Sequence, residues 1–300
     1  MPSVLFVFLD GVGLGDDQAA YNPLVAAATP HLQALLGSAL HQHYAHVCED
    51  TLLIRALDAC LGVAGLPQSA TGQSSLLTGH NAAAVMQRHY GPYPGPTLQK
   101  LLRQGTLFSD LEAHNKRCCL ANAYATAYVQ ALQDAKQKSN VPVYAARHAG
   151  LLLRTEAEYR QGLAIAADLQ GAYFHKQDSR VPVRTPAENG AMLADLARDY
   201  SLCFFDFWLS DLAGHRWDFA EACALVAKLD SFLGAVLAQR APDTTVLITS
   251  DHGNLEDKRS KSHSYNAVPL IVVGEAAPYF QACQSIADIA EPLQRYLLAT

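Results

Sequence analysis

The chain opens on an uninterrupted apolar run, residues 3–9 (SVLFVFL), and two similar runs lie near its far end, 244–249 (TTVLIT) and 268–274 (VPLIVVG). Such runs are far too short to span a membrane and lack the alternation of a half-solvated sheet. They predict parallel strands buried on both faces. Residues 201–209 (SLCFFDFWL) read the same way, and 118–132 (CCLANAYATAYVQAL) starts as a further core strand that leads elsewhere. Between these runs the apolar period lengthens to that of helices. Residues 29–40 and 185–200 each open on Thr-Pro, a helix start signal, while 97–115 and 219–239 carry apolar residues three and four apart. Strands alternating with helices in this way predict an α/β fold, a three-layer αβα sandwich around a mostly parallel sheet.

From about residue 123 to 184 the pattern changes to one rich in proline, polar and basic residues around a single helical stretch, 155–170. That segment reads as a small inserted cap. It leaves 1–122 and 185–300 as one catalytic core, because residues from both halves are needed for the site described below.

Composition narrows the possibilities. Half the residues are hydrophobic, enough for a sizeable core, and the net charge of −6 with only 22 Lys and Arg offers no basic footprint for nucleic acid or an anionic membrane. The seven cysteines are odd in number, contain no C-x-x-C pair and sit mostly among apolar neighbours, as reduced thiols of a cytoplasmic protein do. The first residues carry no basic stretch and Asp10 interrupts their apolar run, so they read as a strand rather than a signal peptide. Nothing in the pattern offers a heptad seam from which to read an oligomeric state.

The chemistry lies where the strands end. Asp10 follows the first run, Asp211 and His215 follow the fourth, and Asp251 and His252 follow TTVLIT, with His263 just before the last strand. Ligand sites in parallel α/β sheets gather beyond the carboxyl ends of strands, where these six side chains can converge. Three carboxylates and three imidazoles without cysteine form a donor set suited to Zn²⁺ or Mn²⁺. Taken singly, each has a plainer reading: Asp10-Gly11 is an ordinary turn, Asp211 and His215 an i,i+4 pair with Gly214 as a cap, and His263 a loop histidine. Asp251-His252 is the hardest to explain away, since two adjacent ionisable groups at a buried strand end need a compensating partner. Residues 66–83 (LPQSATGQSSLLTGHNAA) add a hydroxyl-rich turn leading into a helix, a place for a phosphate or a nucleophile, or simply a capped loop.

Taken together, FLDGVG, ATPHLQALL, SATGQSSLLTG, DLAGH, ITSDHGN and HSYNAVP resemble, in content and order, the alkaline phosphatase superfamily, in particular the branch of cofactor-independent phosphoglycerate mutase and phosphopentomutase. The resemblance implies an alkaline-phosphatase-like fold with two divalent metal ions. It implies that Asp10, Ser69, Asp251 and His252 hold one ion and that Asp211, His215 and His263 hold the other. Ser69 takes the place of the nucleophile, with Thr71 as the alternative if the register slips. Two departures stand out. Gln73 fills a place that is His in the mutases, and the cap is much shorter than the arginine-rich insertion of phosphoglycerate mutase. Arg147, Arg154, Arg160, Arg180 and Arg184 lie in or near the cap but match no family arginine.

The expected activity is metal-dependent phosphoryl transfer to or from a small phosphorylated substrate through a phosphoserine. A small cap favours a phosphatase or phosphodiesterase, with a phosphomutase as the alternative. A non-catalytic metal- or nucleotide-binding protein is the more distant third.

Overall fold

The computed structural model describes residues 2–44 and 46–299. Its main sheet is built from β1 (Ser3–Leu9), β2 (Val47–Cys48), β3 (Leu52–Leu57), β4 (Cys118–Leu120), β8 (Leu202–Phe207), β9 (Thr244–Thr249) and β10 (Val268–Val273). A second, three-stranded sheet joins β5 (Asn122–Tyr124), β6 (Arg154–Thr155) and β7 (Ile165–Ala166). The main sheet has the order β2-β3-β10-β9-β1-β8-β4. β4, β8, β1 and β9 are parallel neighbours, and β3 runs their way because it is antiparallel to β10, itself antiparallel to β9.

The continuous apolar runs are explained by two cores, one on each side of the sheet. Val4, Phe6 and Phe8 of β1 enter one core, while Leu5, Val7 and Leu9 enter the other; Leu202 and Phe204 against Cys203, Phe205 and Phe207 divide β8 likewise. The first core is covered by helices Ser69–Thr78, Pro96–Gln104, Leu107–Ala113, Val141–His148 and Ala290–Leu298. The second is covered by Pro30–Leu36, Pro186–Ala197 and the long helix Phe219–Gln239. This is the three-layer αβα arrangement, with about 25 cal/mol gained for each Å² of apolar surface that the two cores remove from water.

Several elements differ from the reading of the sequence. VPLIVVG is a buried strand as expected, but β10 runs antiparallel to β9. Segment 250–267 contains no helix that could carry the chain back across the sheet, so β10 starts at the edge where β9 ends. The helix expected over 155–170 is a short one, Glu156–Arg160. Gly162, at φ +78°, turns the chain, and Ile165–Ala166 instead pairs with β5. The helix expected over 97–115 breaks at Gly105, after which Thr106 caps a second helix through a reciprocal pair of bonds with Ser109. Helix 219–239 matches its expected bounds and is opened by a similar box between Asp218 and Glu221.

Within 123–184, Val141, Val143, Ala145 and Ala146 pack into the first main core, whereas Tyr159, Ala164, Ala166, Phe174 and Val181 form a small cluster of their own. No helix among the described residues is long and apolar enough to cross a membrane.

Candidate metal centre

β1, β8 and β9 end at one edge of the sheet, and each delivers a carboxylate there. Asp10 follows β1 directly, with its N–H on Phe207 O at 3.2 Å, and Asp251 follows β9. Asp211 and His215 project one turn apart from helix Leu209–Arg216, which starts just past β8. The Asp10 turn is stitched to the β9 turn by Gly11 N–H on Asp251 Oδ1 at 3.3 Å and Val12 N–H on Ser250 Oγ at 2.9 Å. These bonds hold together groups that are some 240 positions apart in the chain.

Two trios of donor atoms result, each within 4.8 Å: Asp10, Asp251 and His252, and Asp211, His252 and His263. His252 is shared. Its Nε2 stands 3.4 Å from Asp10 Oδ1, 3.5 Å from Asp251 Oδ2 and 3.0 Å from Ser69 Oγ, and its ring stacks on His263 with centroids 3.8 Å apart. His215 closes the second group: its Nε2 is 3.4 Å from Asp211 Oδ2 and 3.1 Å from His263 Nε2. All seven residues singled out in the sequence therefore meet in one place. Thr71 does not join them. It is buried behind the wall, and its hydroxyl donates to Gln68 O at 3.0 Å.

The electrostatics are those of a site short of positive charge. Burial, then the neighbouring Asp251, Asp211 and Asp206, hold the Asp10 carboxyl well above its usual range, and burial followed by Asp211 does the same to Asp251. Burial and then the nearby His263 depress His252 to about 3, so its imidazole is neutral and free to act as a ligand. Burial would raise Asp211 as well, but His215, His252 and Asn254 outweigh it and bring that carboxyl down to about 2. Asp10 Oδ1 is buried without a hydrogen-bond partner.

The residues fit divalent cations on a second count. His215 Nδ1 and His263 Nδ1 each lie 2.6 Å from a main-chain carbonyl, of Lys261 and Pro67. A carbonyl only accepts, so both Nδ1 atoms carry the proton and both Nε2 atoms turn a lone pair toward the same point. Such outer hydrogen bonds are how metal-ligating histidines are usually oriented.

Three supporting residues have no strong signal in the sequence. Gln73, noted only as a departure, donates from Nε2 to Asp10 Oδ2 and Asp251 Oδ2, both at 3.1 Å, and so ties the two crowded carboxylates together. Asn254 donates to Asp211 Oδ1 at 2.6 Å. Glu256, fully buried, accepts from Gly13 N–H at 3.0 Å, Asn254 N–H at 2.8 Å, Asn266 Nδ2 at 3.0 Å and the Ser264 hydroxyl, joining the Asp10 turn to the loop that carries His263. Two glycines are required by close approach. A Cβ on Gly72 would lie 2.9 Å from Asp251 Cβ, and one on Gly214 would lie 2.5 Å from Asn254 Cγ. Gly214 is thus a contact point inside its helix rather than the cap its spacing suggested.

A family model described as the Metalloenzyme superfamily matches residues 1–298. The chain belongs to the Metalloenzyme superfamily. Among curated relatives, the 2,3-bisphosphoglycerate-independent phosphoglycerate mutase of Nitrosococcus oceani is 32% identical over 107 residues, which is 33% of this chain and 20% of that protein. The corresponding mutase of Desulforudis audaxviator is 34% identical over 93 residues, 29% of this chain and 18% of its own. The matched part thus spans about a fifth of those relatives. Among solved structures, alkaline phosphatase from the Antarctic bacterium TAB5 superposes over 99% of this chain and 98% of its own with a TM-score of 0.55 at 12% identity. The PH0037 protein of Pyrococcus horikoshii does so over 100% and 98% with a TM-score of 0.59 at 14% identity. At these identities the likeness is one of fold, and the fold is alkaline-phosphatase-like.

The centre forms the floor of a cavity of about 840 Å³ to which Asp10, Ser69, Asp211, His215 and His263 all contribute. None of the five cap arginines lines it; its cations are Lys138, Arg216 and Lys261. Arg154 instead bonds Tyr200, Arg180 pairs with Asp178, and Arg147 and Arg184 bond main-chain carbonyls.

Proposed function

We propose that this member of the superfamily is a metal-dependent phosphatase or phosphodiesterase working through a phosphoserine at Ser69. Asp10, Ser69, Asp251 and His252 would hold one divalent ion, and Asp211, His215 and His263 the other, Mn²⁺ or Zn²⁺ by the nature of the donors. The observation that carries the reading is the position of Ser69: it opens helix Ser69–Thr78, lines the cavity, and has its hydroxyl 3.0 Å from His252 Nε2 at the junction of the two ligand groups. Bound there, the ions would supply a lowered pKa for that hydroxyl and neutralisation of the phosphoryl oxygens.

The chain's own residues supply the rest. Ser69 Oγ bonds to phosphorus as the ester oxygen leaves, and the serine proton ends on the departing alcohol. Water then takes the phosphoryl group from Ser69, releasing orthophosphate and restoring the hydroxyl. Gln73 holds Asp10 and Asp251 in place throughout. Segment 123–184 acts as a small cap over one side of the cavity, contributing Lys138 and Asn140 to its lining. The seven free cysteines, four of them buried, suit a protein of the reducing cytoplasm.

A phosphomutase is the second reading, favoured by the names of the relatives. In it, a substrate hydroxyl rather than water takes the phosphoryl group. The absence of the cap arginines from the cavity lining argues for water, since a mutase must retain its dephosphorylated intermediate. The test is ³¹P NMR of the Mn²⁺- or Zn²⁺-loaded protein with p-nitrophenyl phosphate, phosphoglycerates and pentose phosphates. Orthophosphate supports hydrolysis. An isomerised ester without orthophosphate establishes the mutase, and no turnover despite stoichiometric metal leaves a binding protein.

A further inference from the structure

The cavity above the metal centre is larger than a three-carbon phosphate ester requires. At about 840 Å³ it falls within the range of roughly 300–1,000 Å³ that holds ligands the size of a drug or a cofactor. Four aromatic side chains, Tyr93, Tyr124, Tyr128 and Trp208, line it. Tyr124 and Tyr128 already stack on each other, with centroids 5.5 Å apart and planes 29° apart. Tyr93 and Trp208 are 40% and 38% exposed, large rings left open inside a concave site. Burial and then the neighbouring Tyr93 push the Tyr128 phenol up to about 12.

The charged groups of the same cavity are equally one-sided. Apart from Asp10 and Asp211 at its floor, the lining contains no carboxylate among the described residues, while Lys138, Arg216 and Lys261 supply three cations. They come from three separate parts of the chain. Lys261 is tied to the centre through its carbonyl, which accepts from His215 Nδ1 at 2.6 Å. A ligand that suits this surface has an anionic end at the centre and a flat aromatic end on the wall.

We propose that the cavity takes a nucleotide, a phosphate ester whose leaving group ends in a planar heteroaromatic base that stacks on Tyr93 and Trp208. The proposal rests on the phosphoryl-transfer reading of the centre and names its class of substrate: a nucleoside monophosphate and water give the nucleoside and orthophosphate. The phosphate engages the centre and the three cations, and the base replaces water on the exposed rings.

The test compares AMP with ribose 5-phosphate on the Mn²⁺-loaded protein, two esters that share the same 5′-phosphate and differ by the base. Stacking of one base predicts a kcat/KM for AMP at least about 10-fold higher. Tyr93→Ala and Trp208→Ala each shrink that ratio toward one, and Tyr93→Phe, which keeps the ring, preserves it. A second readout does not depend on turnover: adenosine titrated into the same protein quenches tryptophan fluorescence saturably, ribose does not, and Tyr93→Ala weakens the adenosine response. Equal kcat/KM for the two esters, or adenosine bound no better than ribose, overturns the proposal and leaves the phosphatase reading intact. Saturable adenosine binding without turnover of any ester, p-nitrophenyl phosphate included, overturns the phosphatase reading and leaves the nucleotide cavity standing.

Discussion

His215 Nε2 and His263 Nε2 stand 3.1 Å apart, each on a ring whose Nδ1 proton is committed to a carbonyl. Two lone pairs cannot face each other at that distance unless a proton or a cation lies between them. Asp211, 3.4 Å from one and 3.6 Å from the other, completes a donor set for such a cation. His263→Ala should therefore lose one equivalent of metal while the other, held by Asp10, Asp251 and His252, remains. Metal content by mass spectrometry checks it; loss of both equivalents, or of neither, contradicts the division of ligands.

Ser69 faces the cavity and Thr71 does not. Ser69→Ala should lower turnover by at least about 10³-fold with metal content nearly unchanged, since three other donors of its ion remain. Thr71→Ala should retain turnover. Phosphate trapped on a peptide containing Ser69 in an acid-quenched reaction identifies the nucleophile directly.

Removing the metal should matter more at high pH. Asp10 and Asp251 have folded-state pKa values raised above the carboxylate norm, so the metal-free fold keeps protons that the unfolded chain gives up. The contribution of these two carboxyls is most favourable below pH about 4 and falls as pH rises through their folded values. Thermal unfolding with and without a chelator should show a larger drop in Tm at pH 8 than at pH 5. The reverse order would mean that these carboxylates are not offset by a cation.

Asp206 lies inside β8, fully buried, with Asn140 Nδ2 donating to its Oδ2 at 2.7 Å. Burial, only partly offset by that bond, pushes its carboxyl up to about 7. The folded state thus keeps this proton when the unfolded chain has lost it. The resulting penalty is absent below pH 4, grows between 4 and 7 and is complete above, on the order of 4 kcal/mol at most. Asp206→Asn should stabilise the protein at pH 8 and have little effect near pH 4, as read from urea midpoints.

Gly214→Ala places a methyl group 2.5 Å from Asn254 Cγ and displaces the amide that holds Asp211. It should cost about 1–3 kcal/mol of stability and lower metal affinity. An unfolding midpoint and metal occupancy equal to wild type would show that Asn254 moves aside freely.

What the sequence alone determined was the kind of fold and which carboxylates and imidazoles stand at the strand ends. Strands buried on both faces need unbroken apolar runs, and a run that stops in Asp or His marks a strand end with chemistry; both signals are local and survive in one dimension. The sheet order, the antiparallel sense of β10 and the short helix at 156–160 were decided by partners distant in the chain, because pairing with β3, β9 and β5 overrides local periodicity. The same is true of the supporting residues. Gln73, Asn254 and Glu256 are ordinary polar residues until the fold buries Gln73 against Asp10 and Asp251, Asn254 against Asp211 and Glu256 against the amides of Gly13 and Asn254, where an unpaired group would be costly. The aromatic wall is likewise a product of the tertiary structure. Tyr93, Tyr128 and Trp208 come from three unrelated segments, and only the closed fold turns them into one surface.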